Sequence, residues 1–174
     1  MEGRTDIVTA GGKPITLVGH PVKVGEAAPD AIVVDNEMHT VHLDDFHGKV
    51  LIIASVPSLD TEVCNLETRH FNSEAAKLSP DVQILTISMD LPFAQKRWCG
   101  TAGVERVKTL SDHREASFGQ AYGVLIKETR LLARAVFVVD KDSIVRYVQM
   151  VPDLGQEPQY EPILDTVKKL SVNQ

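Results

Sequence analysis

The hydrophobic and polar positions at the start of the chain predict two antiparallel strand pairs. Residues 6–10 and 13–18 flank the Gly-Gly pair at 11–12, which favours the primed turns of β-hairpins. Residues 31–35 ("AIVVD") and 39–43 ("HTVHL") read as a second pair around a short polar connection. The first quarter of the chain is therefore predicted to be β-structure.

A continuous apolar run at 49–56 ("KVLIIASV") is typical of a strand buried on both faces, and it ends at Pro57. A helix is predicted from about Thr61 to Leu78, because apolar residues recur every three to five positions before Ser79-Pro80. The residues assigned to its apolar face are Val63, Leu66, Phe71, Ala75 and Leu78.

Strands and helices continue to alternate through the rest of the chain. The predicted order is a strand at 82–90, a helix at 92–100 that ends on glycine, a strand near 107–110, a helix around 115–122, strands at 134–140 and 144–150, and a final helix with Tyr160, Ile163, Leu164, Val167 and Leu170 on one face. This order predicts an α/β fold with a mixed central sheet and helices on both faces.

Composition agrees with a single domain over 1–174. The chain has 174 residues, 43% of them apolar, which is enough for a core without disulfides, and it shows no repeat or linker. The 24 acidic and 18 basic residues give a net charge of -6 without any Lys/Arg run, which argues against nucleic-acid binding. No apolar stretch approaches a membrane span and the first residues are too polar for a signal peptide, so a cytoplasmic location is expected.

The chain contains two cysteines, and Cys64 falls where the helix that follows Pro57 is predicted to begin. The first turn of a helix has unpaired N–H groups and the positive end of the macrodipole, both of which favour a thiolate. Cys64 can equally be a small buried apolar residue, the commonest state of a free cysteine. The residues around Cys64 are needed to distinguish these two interpretations.

Thr61 and Pro57, which both precede Cys64, have candidate chemical roles. Thr61 lies three positions earlier, on the same face of a helical turn, so that its hydroxyl can hydrogen-bond the sulfur. Thr61 or Asp60 can instead be only the N-cap of the helix. Pro57 can shield the sulfur from water, or it can be an ordinary turn residue after a strand.

The stretch "PSLDTEVC" resembles the active-site signature of the peroxiredoxins, Pro-x-x-x-Thr/Ser-x-x-Cys. In detail it is similar to the bacterial thiol peroxidase subfamily, the atypical two-cysteine group. The same subfamily's landmarks appear in the same order in "SMDLPFAQKRWCG" around Cys99, "FGQAYGV" at 118–124, "ARAVFVVD" at 133–140 and the N-terminal hairpin. The resemblance covers nearly the whole chain and implies a thioredoxin-like fold.

The resemblance also implies roles for individual residues. Cys64 matches the peroxidatic cysteine, which attacks a hydroperoxide as a thiolate and becomes a sulfenic acid. Thr61 would hydrogen-bond the sulfur and the peroxide, Pro57 would shield the site, and Arg134 would favour the thiolate and hold the peroxide oxygens. Only the resemblance selects Arg134 among the arginines of the chain.

Cys99 matches the resolving cysteine, which forms an intramolecular disulfide with the oxidised Cys64. From the residues alone, Cys99 can also be a buried structural thiol beside Trp98. The resemblance further implies thioredoxin as the reductant, a homodimer, hydrogen peroxide and alkyl or lipid hydroperoxides as substrates, and neither cofactor nor metal.

Rival chemistries rest on weaker signals. A metal site can draw on Cys64, Cys99 and His70, but no C-x-x-C or H-x-x-x-H cluster is present in the sequence. A cysteine hydrolase can pair Cys64 with His113, although no flanking signature supports it. A thiol-based redox sensor shares the first step with a peroxidase and differs from it in lacking turnover.

Overall fold

The computed structural model describes residues 3–103 and 106–172, which form eleven strands and four α-helices within those ranges. The strands are β1 (Thr9–Ala10), β2 (Lys13–Pro14), β3 (Leu17–Val18), β4 (Ile32–Val34), β5 (Thr40–His42), β6 (Val50–Ser55), β7 (Val82–Ser88), β8 (Val107–Ser111), β9 (Leu125–Ile126), β10 (Ala135–Val139) and β11 (Val145–Met150). The helices are α1 (Glu62–Ala75), α2 (Pro92–Ala102), α3 (Ser117–Ala121) and α4 (Tyr160–Val172).

The central sheet has seven strands in the order β11-β10-β6-β7-β8-β4-β5. Strands β6, β7 and β8 are parallel because helices α1 and α2 connect them, whereas β10 runs antiparallel to β6. In this register Ala135 pairs with Ser55, so the start of β10 lies beside the carboxyl end of β6. The topology therefore brings Arg134 next to the loop that leads to Cys64.

Helices cover both faces of the sheet, as the sequence predicts. Alternate residues of β6 face opposite sides: Ile52 packs with Phe71 of α1 and Ile163 of α4, while Ile53 belongs to the core on the other face together with Phe118 of α3. The α/β class with a mixed central sheet is confirmed. None of the described helices has both the length and the apolar character that crossing a membrane would require.

The buried face of α1 differs from the predicted one. The fully buried residues are Cys64, Glu67, Thr68 and Phe71, whereas Leu66 is 48% exposed. Assigning Leu66 to the buried face was therefore wrong. Apolar spacing misled here because the side of the helix that faces the interior carries polar groups that contact a buried arginine.

The end of α2 also differs from the sequence prediction. The helix continues through Gly100 to Ala102, and Gly103 ends it with a left-handed φ of 69°. A Cβ at that φ is unfavourable, which is why glycine is common at this position after a helix. Gly103, rather than Gly100, is the helix terminator.

The N-terminal hairpin is confirmed, but its strands are shorter than predicted. β1 and β2 pair across Gly11 and Gly12, whose φ angles of 59° and 83° are those of a type I′ turn. The rest of the predicted second strand forms β3, which pairs with β9, an element that the sequence pattern did not reveal. The hairpin also contacts a distant loop, because the Thr9 amide donates to the Pro152 carbonyl.

Candidate active site

Cys64 is the third residue of α1 and its side chain has no exposed surface. The first intrahelical bond joins the Asn65 amide to the Thr61 carbonyl, so the Cys64 amide belongs to the open first turn of the helix. Val56, Leu59 and Trp98 pack around the side chain. The predicted position of the cysteine at a helix start is confirmed, and the sulfur lies in an apolar enclosure.

Arg134 lies directly before β10, is 1% exposed and contacts the sulfur. Its Nη1 donates a hydrogen bond to Cys64 Sγ at 3.2 Å. The other edge of the guanidinium is held by the Leu154 carbonyl, which accepts from Nε at 3.2 Å and from Nη2 at 2.7 Å. A buried cation is thus held in one orientation with one N–H group aimed at the sulfur.

Glu67 is a member of the site that the sequence analysis missed. Its carboxyl is fully buried, and Oε1 lies 3.6 Å from Arg134 Nη1, a distance of an ion pair without a hydrogen bond. Neither carboxyl oxygen has a hydrogen-bond partner among the described residues. Burial raises the pKa of Glu67 to about 8, and the nearby Arg134 charge opposes this shift only in part. Its spacing, three residues after Cys64 on one helix, was the available signal.

Thr61 is the N-cap residue of α1, but its hydroxyl caps nothing and bonds elsewhere. Oγ1 donates to the Ser58 carbonyl at 2.9 Å rather than to Cys64. Thr61 is exposed at the rim of the site, so its hydroxyl is accessible to a small molecule. Asp60 is also exposed, whereas Pro57 is buried between β6 and α1. A role of Thr61 and Pro57 towards a bound peroxide stays a prediction.

The second cysteine points away from the first. Both thiols are free, and Cys99 Sγ lies 3.4 Å from the Thr109 hydroxyl on β8. Cys99 also lines a cavity of about 450 Å³ with polar residues of β8 and of the turn after β4. Its neighbour Trp98 packs against Cys64 instead. Consecutive helical residues point about 100° apart, so Cys99 faces another direction.

Asp90, between β7 and α2, ties the loop before Cys64 to the segment that starts α2. Its carboxylate accepts hydrogen bonds from the Ser58 hydroxyl at 2.7 Å, the Leu59 amide at 2.8 Å and the Ser88 hydroxyl at 2.7 Å. Because Leu59 packs on Cys64, this carboxylate holds one wall of the enclosure in place. Sequence reasoning did not find Asp90, since its partners come from two separate segments.

Two cavities open between the start of α1 and the outer side of α2. They measure about 320 Å³ and 390 Å³, and both are lined by Leu59, Asp60, Trp98 and Thr101. Leu59 and Trp98 are also the residues that cover Cys64. A small molecule can therefore reach the sulfur by moving these two side chains.

The two rival chemistries that need a metal site or a Cys–His pair gain no support from the geometry of the described residues. The hydrogen-bond partner of the Cys64 side chain is Arg134, while His70 stacks on Tyr160 with ring centroids 3.8 Å apart. The His113 amide donates to Ser111 Oγ at the end of β8. Across residues 3–103 and 106–172, no group of three or more His, Cys, Asp or Glu side chains is arranged to hold a metal ion.

Comparison with known proteins identifies the same family from the sequence and from the fold. The Redoxin family profile matches residues 23–164. A thiol peroxidase from Oceanobacillus iheyensis is 55% identical over 93% of this chain and 98% of its own, and one from Bacillus subtilis is 53% identical over 94% and 97%. A crystal structure of a peroxiredoxin-like protein from Aquifex aeolicus superposes with a TM-score of 0.89 at 42% identity, covering 98% of this chain and 99% of that one.

These matches agree with the geometry of the site. At this identity and coverage, the chain has the same fold and belongs to the same enzyme class as these relatives. The predicted thioredoxin-like fold and the peroxidase class are both confirmed. A buried cysteine in the first turn of a helix, with an arginine N–H group on its sulfur, is an arrangement that favours a thiolate. This chain therefore belongs to the thiol peroxidase family of Redoxin enzymes.

Proposed function

We propose that the chain is a thioredoxin-dependent thiol peroxidase in which Cys64 is the peroxidatic and Cys99 the resolving cysteine. The observation that carries the proposal is the hydrogen bond from Arg134 Nη1 to Cys64 Sγ at the open first turn of α1. A fixed cation beside the sulfur stabilises the thiolate, which is the nucleophilic form of cysteine.

In the first step the Cys64 thiolate attacks the terminal oxygen of a hydroperoxide. An S–O bond forms as the O–O bond breaks, leaving a sulfenic acid and an alkoxide or hydroxide that takes a proton to become alcohol or water. Arg134 and the Thr61 hydroxyl are suited to hold the peroxide and stabilise the charge on the leaving oxygen. Pro57 and Cys64 are both buried, and we propose that Pro57 shields the sulfur from water. Exclusion of water strengthens the electrostatic attraction between Arg134 and the reacting oxygens.

In the second step the Cys99 thiol attacks the Cys64 sulfenic acid, an S–S bond forms and water leaves. A disulfide needs Cα atoms within about 7 Å and side chains that face each other. Since Cys99 faces Thr109 in the reduced protein, α2 has to rearrange first. A dithiol of the thioredoxin type then reduces the disulfide by supplying two electrons and two protons, which returns both thiols and leaves the reductant as a disulfide.

The substrates proposed are hydrogen peroxide and organic hydroperoxides. The cavity lined by Leu59, Ala94 and Trp98 next to the site has an apolar side that suits an alkyl chain. From the composition we carry forward a single domain in the cytoplasm, and from the family resemblance a homodimer with α3 and the loop after Pro57 as candidate contact regions.

The test is consumption of NADPH by thioredoxin and thioredoxin reductase with cumene hydroperoxide or hydrogen peroxide. We expect sustained turnover in the wild type and none in Cys64→Ser. Cys99→Ser should still be oxidised once by peroxide, giving a sulfenic acid that dimedone traps, but should not cycle with thioredoxin.

A redox sensor is the alternative outcome of the same experiment. Stoichiometric oxidation of Cys64 without NADPH consumption, while a known peroxidase turns over in the same mixture, would contradict the peroxidase proposal. A disulfide found by peptide mapping in oxidised wild type, and absent from Cys99→Ser, would separately establish the resolving step.

A further inference from the structure

The loop at 152–155 lies between the N-terminal hairpin and the active-site arginine. The Leu154 amide donates to the Thr9 carbonyl, and the Leu154 carbonyl accepts two hydrogen bonds from Arg134. One residue of this loop is therefore bonded on one side to the hairpin and on the other to the side chain that contacts Cys64 Sγ.

The hairpin holds the loop through more than this amide. Asp153 Oδ2 accepts from the Thr9 hydroxyl at 2.6 Å and from the Gly12 amide at 3.0 Å, while Oδ1 accepts from the Gly155 amide at 2.9 Å. The Thr9 amide also donates to the Pro152 carbonyl at 2.9 Å. The I′ turn at Gly11 and Gly12 orients the Gly12 amide towards the carboxylate.

We propose that the N-terminal hairpin is a positioning element for Arg134, in which Thr9 and Asp153 hold the Leu154 carbonyl where it orients the guanidinium towards Cys64. The proposal rests on the role of Arg134 in the proposed peroxide reduction. Asp153 suits this task as a permanent carboxylate, since hydrogen bonds from Thr9 and the backbone lower its pKa to about 2.

The physical reason lies in the hydrogen bonds of a buried guanidinium. Arg134 directs Nε and Nη2 to a single carbonyl, and this pair of bonds sets the plane of the group and hence the direction of Nη1. If the Leu154 carbonyl withdraws, the cation loses both bonds and, among the described residues, keeps its side-chain contacts with Cys64 and Glu67. A small movement of the loop is then converted into misplacement of the charge beside the sulfur.

The experiment measures the rate of Cys64 oxidation by hydrogen peroxide in stopped flow, using the fluorescence of Trp98, the single tryptophan of the chain, which packs on Cys64. Thr9→Val removes the hydroxyl with little change of shape, and Asp153→Ala removes its acceptor. We expect each to lower the second-order rate constant about threefold to tenfold, the effect of about one hydrogen bond.

Two matched variants control for general effects on the N-terminal region. Thr9→Ser keeps the hydroxyl and should react like the wild type. Thr16→Val removes a hydrogen bond of the same length, 2.6 Å, from Thr16 to Glu128, a residue outside the 152–155 loop, and should also react like the wild type.

A double-mutant cycle separates positioning from mere stabilisation. In an Arg134→Lys background, Thr9→Val should have no further effect on the oxidation rate, because an ammonium group cannot make the paired bonds to the Leu154 carbonyl. If Thr9→Val and Asp153→Ala lower only the melting temperature and leave the oxidation rate unchanged, the proposal is wrong.

A second readout does not depend on peroxide. In a Cys99→Ser background, where Cys64 is the remaining thiol, Thr9→Val should show less thiolate absorbance at neutral pH than its parent. Should the wild type fail to react with peroxide, the proposed function fails. The thiolate measurement still decides the hairpin proposal, and an unchanged thiolate signal overturns it.

Discussion

The guanidinium of Arg134 donates a hydrogen bond at 3.2 Å to the sulfur of Cys64, a residue 70 positions earlier in the chain. The contact exists because β10 runs antiparallel to β6, which places the start of one strand at the end of the other. Two elements that the sequence pattern predicted separately thus meet to build one site.

The first prediction concerns this contact. Arg134→Lys keeps the positive charge but loses the planar guanidinium, which donates hydrogen bonds to both Cys64 Sγ and the Leu154 carbonyl. We therefore expect the rate of peroxide reduction to fall about 100-fold or more. The measurement is single-turnover oxidation by hydrogen peroxide. Arg114→Lys, at an exposed position, is the matched control. A rate near wild type for Arg134→Lys would show that the guanidinium geometry is unimportant.

The second prediction concerns the Thr61 hydroxyl, which donates a hydrogen bond to the Ser58 carbonyl. If this hydroxyl turns to a bound peroxide, Thr61→Val should slow oxidation by about tenfold or more, while Thr61→Ser keeps the wild-type rate. Thr101→Val, on the opposite wall of the same cavity, serves as control. Equal rates for Thr61→Val and wild type would leave Thr61 with only the bond to Ser58.

The third prediction concerns Asp90 and the wall formed by Leu59. Asp90→Ala leaves the Ser58 hydroxyl and the Leu59 amide without their acceptor, so we expect a loss of about 1–3 kcal/mol in the free energy of unfolding. Chemical denaturation measures this directly. Amide hydrogen exchange at Leu59 should accelerate more than exchange in β10.

Asp142→Ala, at an exposed position, is the control for Asp90→Ala. Should the two variants be equally stable, the Asp90 hydrogen bonds contribute nothing net to the folded state.

The fourth prediction concerns pH and Glu67, because burial raises the pKa of this carboxyl in the folded protein to about 8 from its ordinary value of 4.5. The folded protein keeps a proton on Glu67 that the unfolded chain loses, so stability falls as pH rises from about 4.5 to 8. Glu67→Gln resembles the protonated form and removes this dependence. Below about pH 4.5 the stabilities of the wild type and of Glu67→Gln should differ least.

The melting temperature should therefore fall less steeply with pH in Glu67→Gln than in the wild type, with a difference at pH 8 to 9 of at least about 2–4 °C. Glu74→Gln makes the same amino-acid substitution near the C-terminal end of α1, where Glu74 pairs with Lys77. It should follow the wild-type profile. Parallel profiles for wild type and Glu67→Gln would mean that Glu67 titrates normally.

The order of the longer strands and helices, the helix start at Cys64 and the family signature all follow from the sequence, whereas the short strand β9 does not. These features are local: a run of apolar residues, a turn at Gly11 and Gly12, and a proline before a helix each depend on neighbours a few positions away. The α/β class followed from the order of these elements.

The surroundings of Cys64 could not be predicted from the sequence, because they form only when distant segments pack together. Glu67 is buried because that side of α1 faces Arg134, and no apolar periodicity reveals a buried carboxyl. The link from Thr9 through Leu154 to Arg134 joins three segments that are far apart in the chain. Such contacts depend on strand register and loop packing, which arise from the whole fold rather than from any one segment.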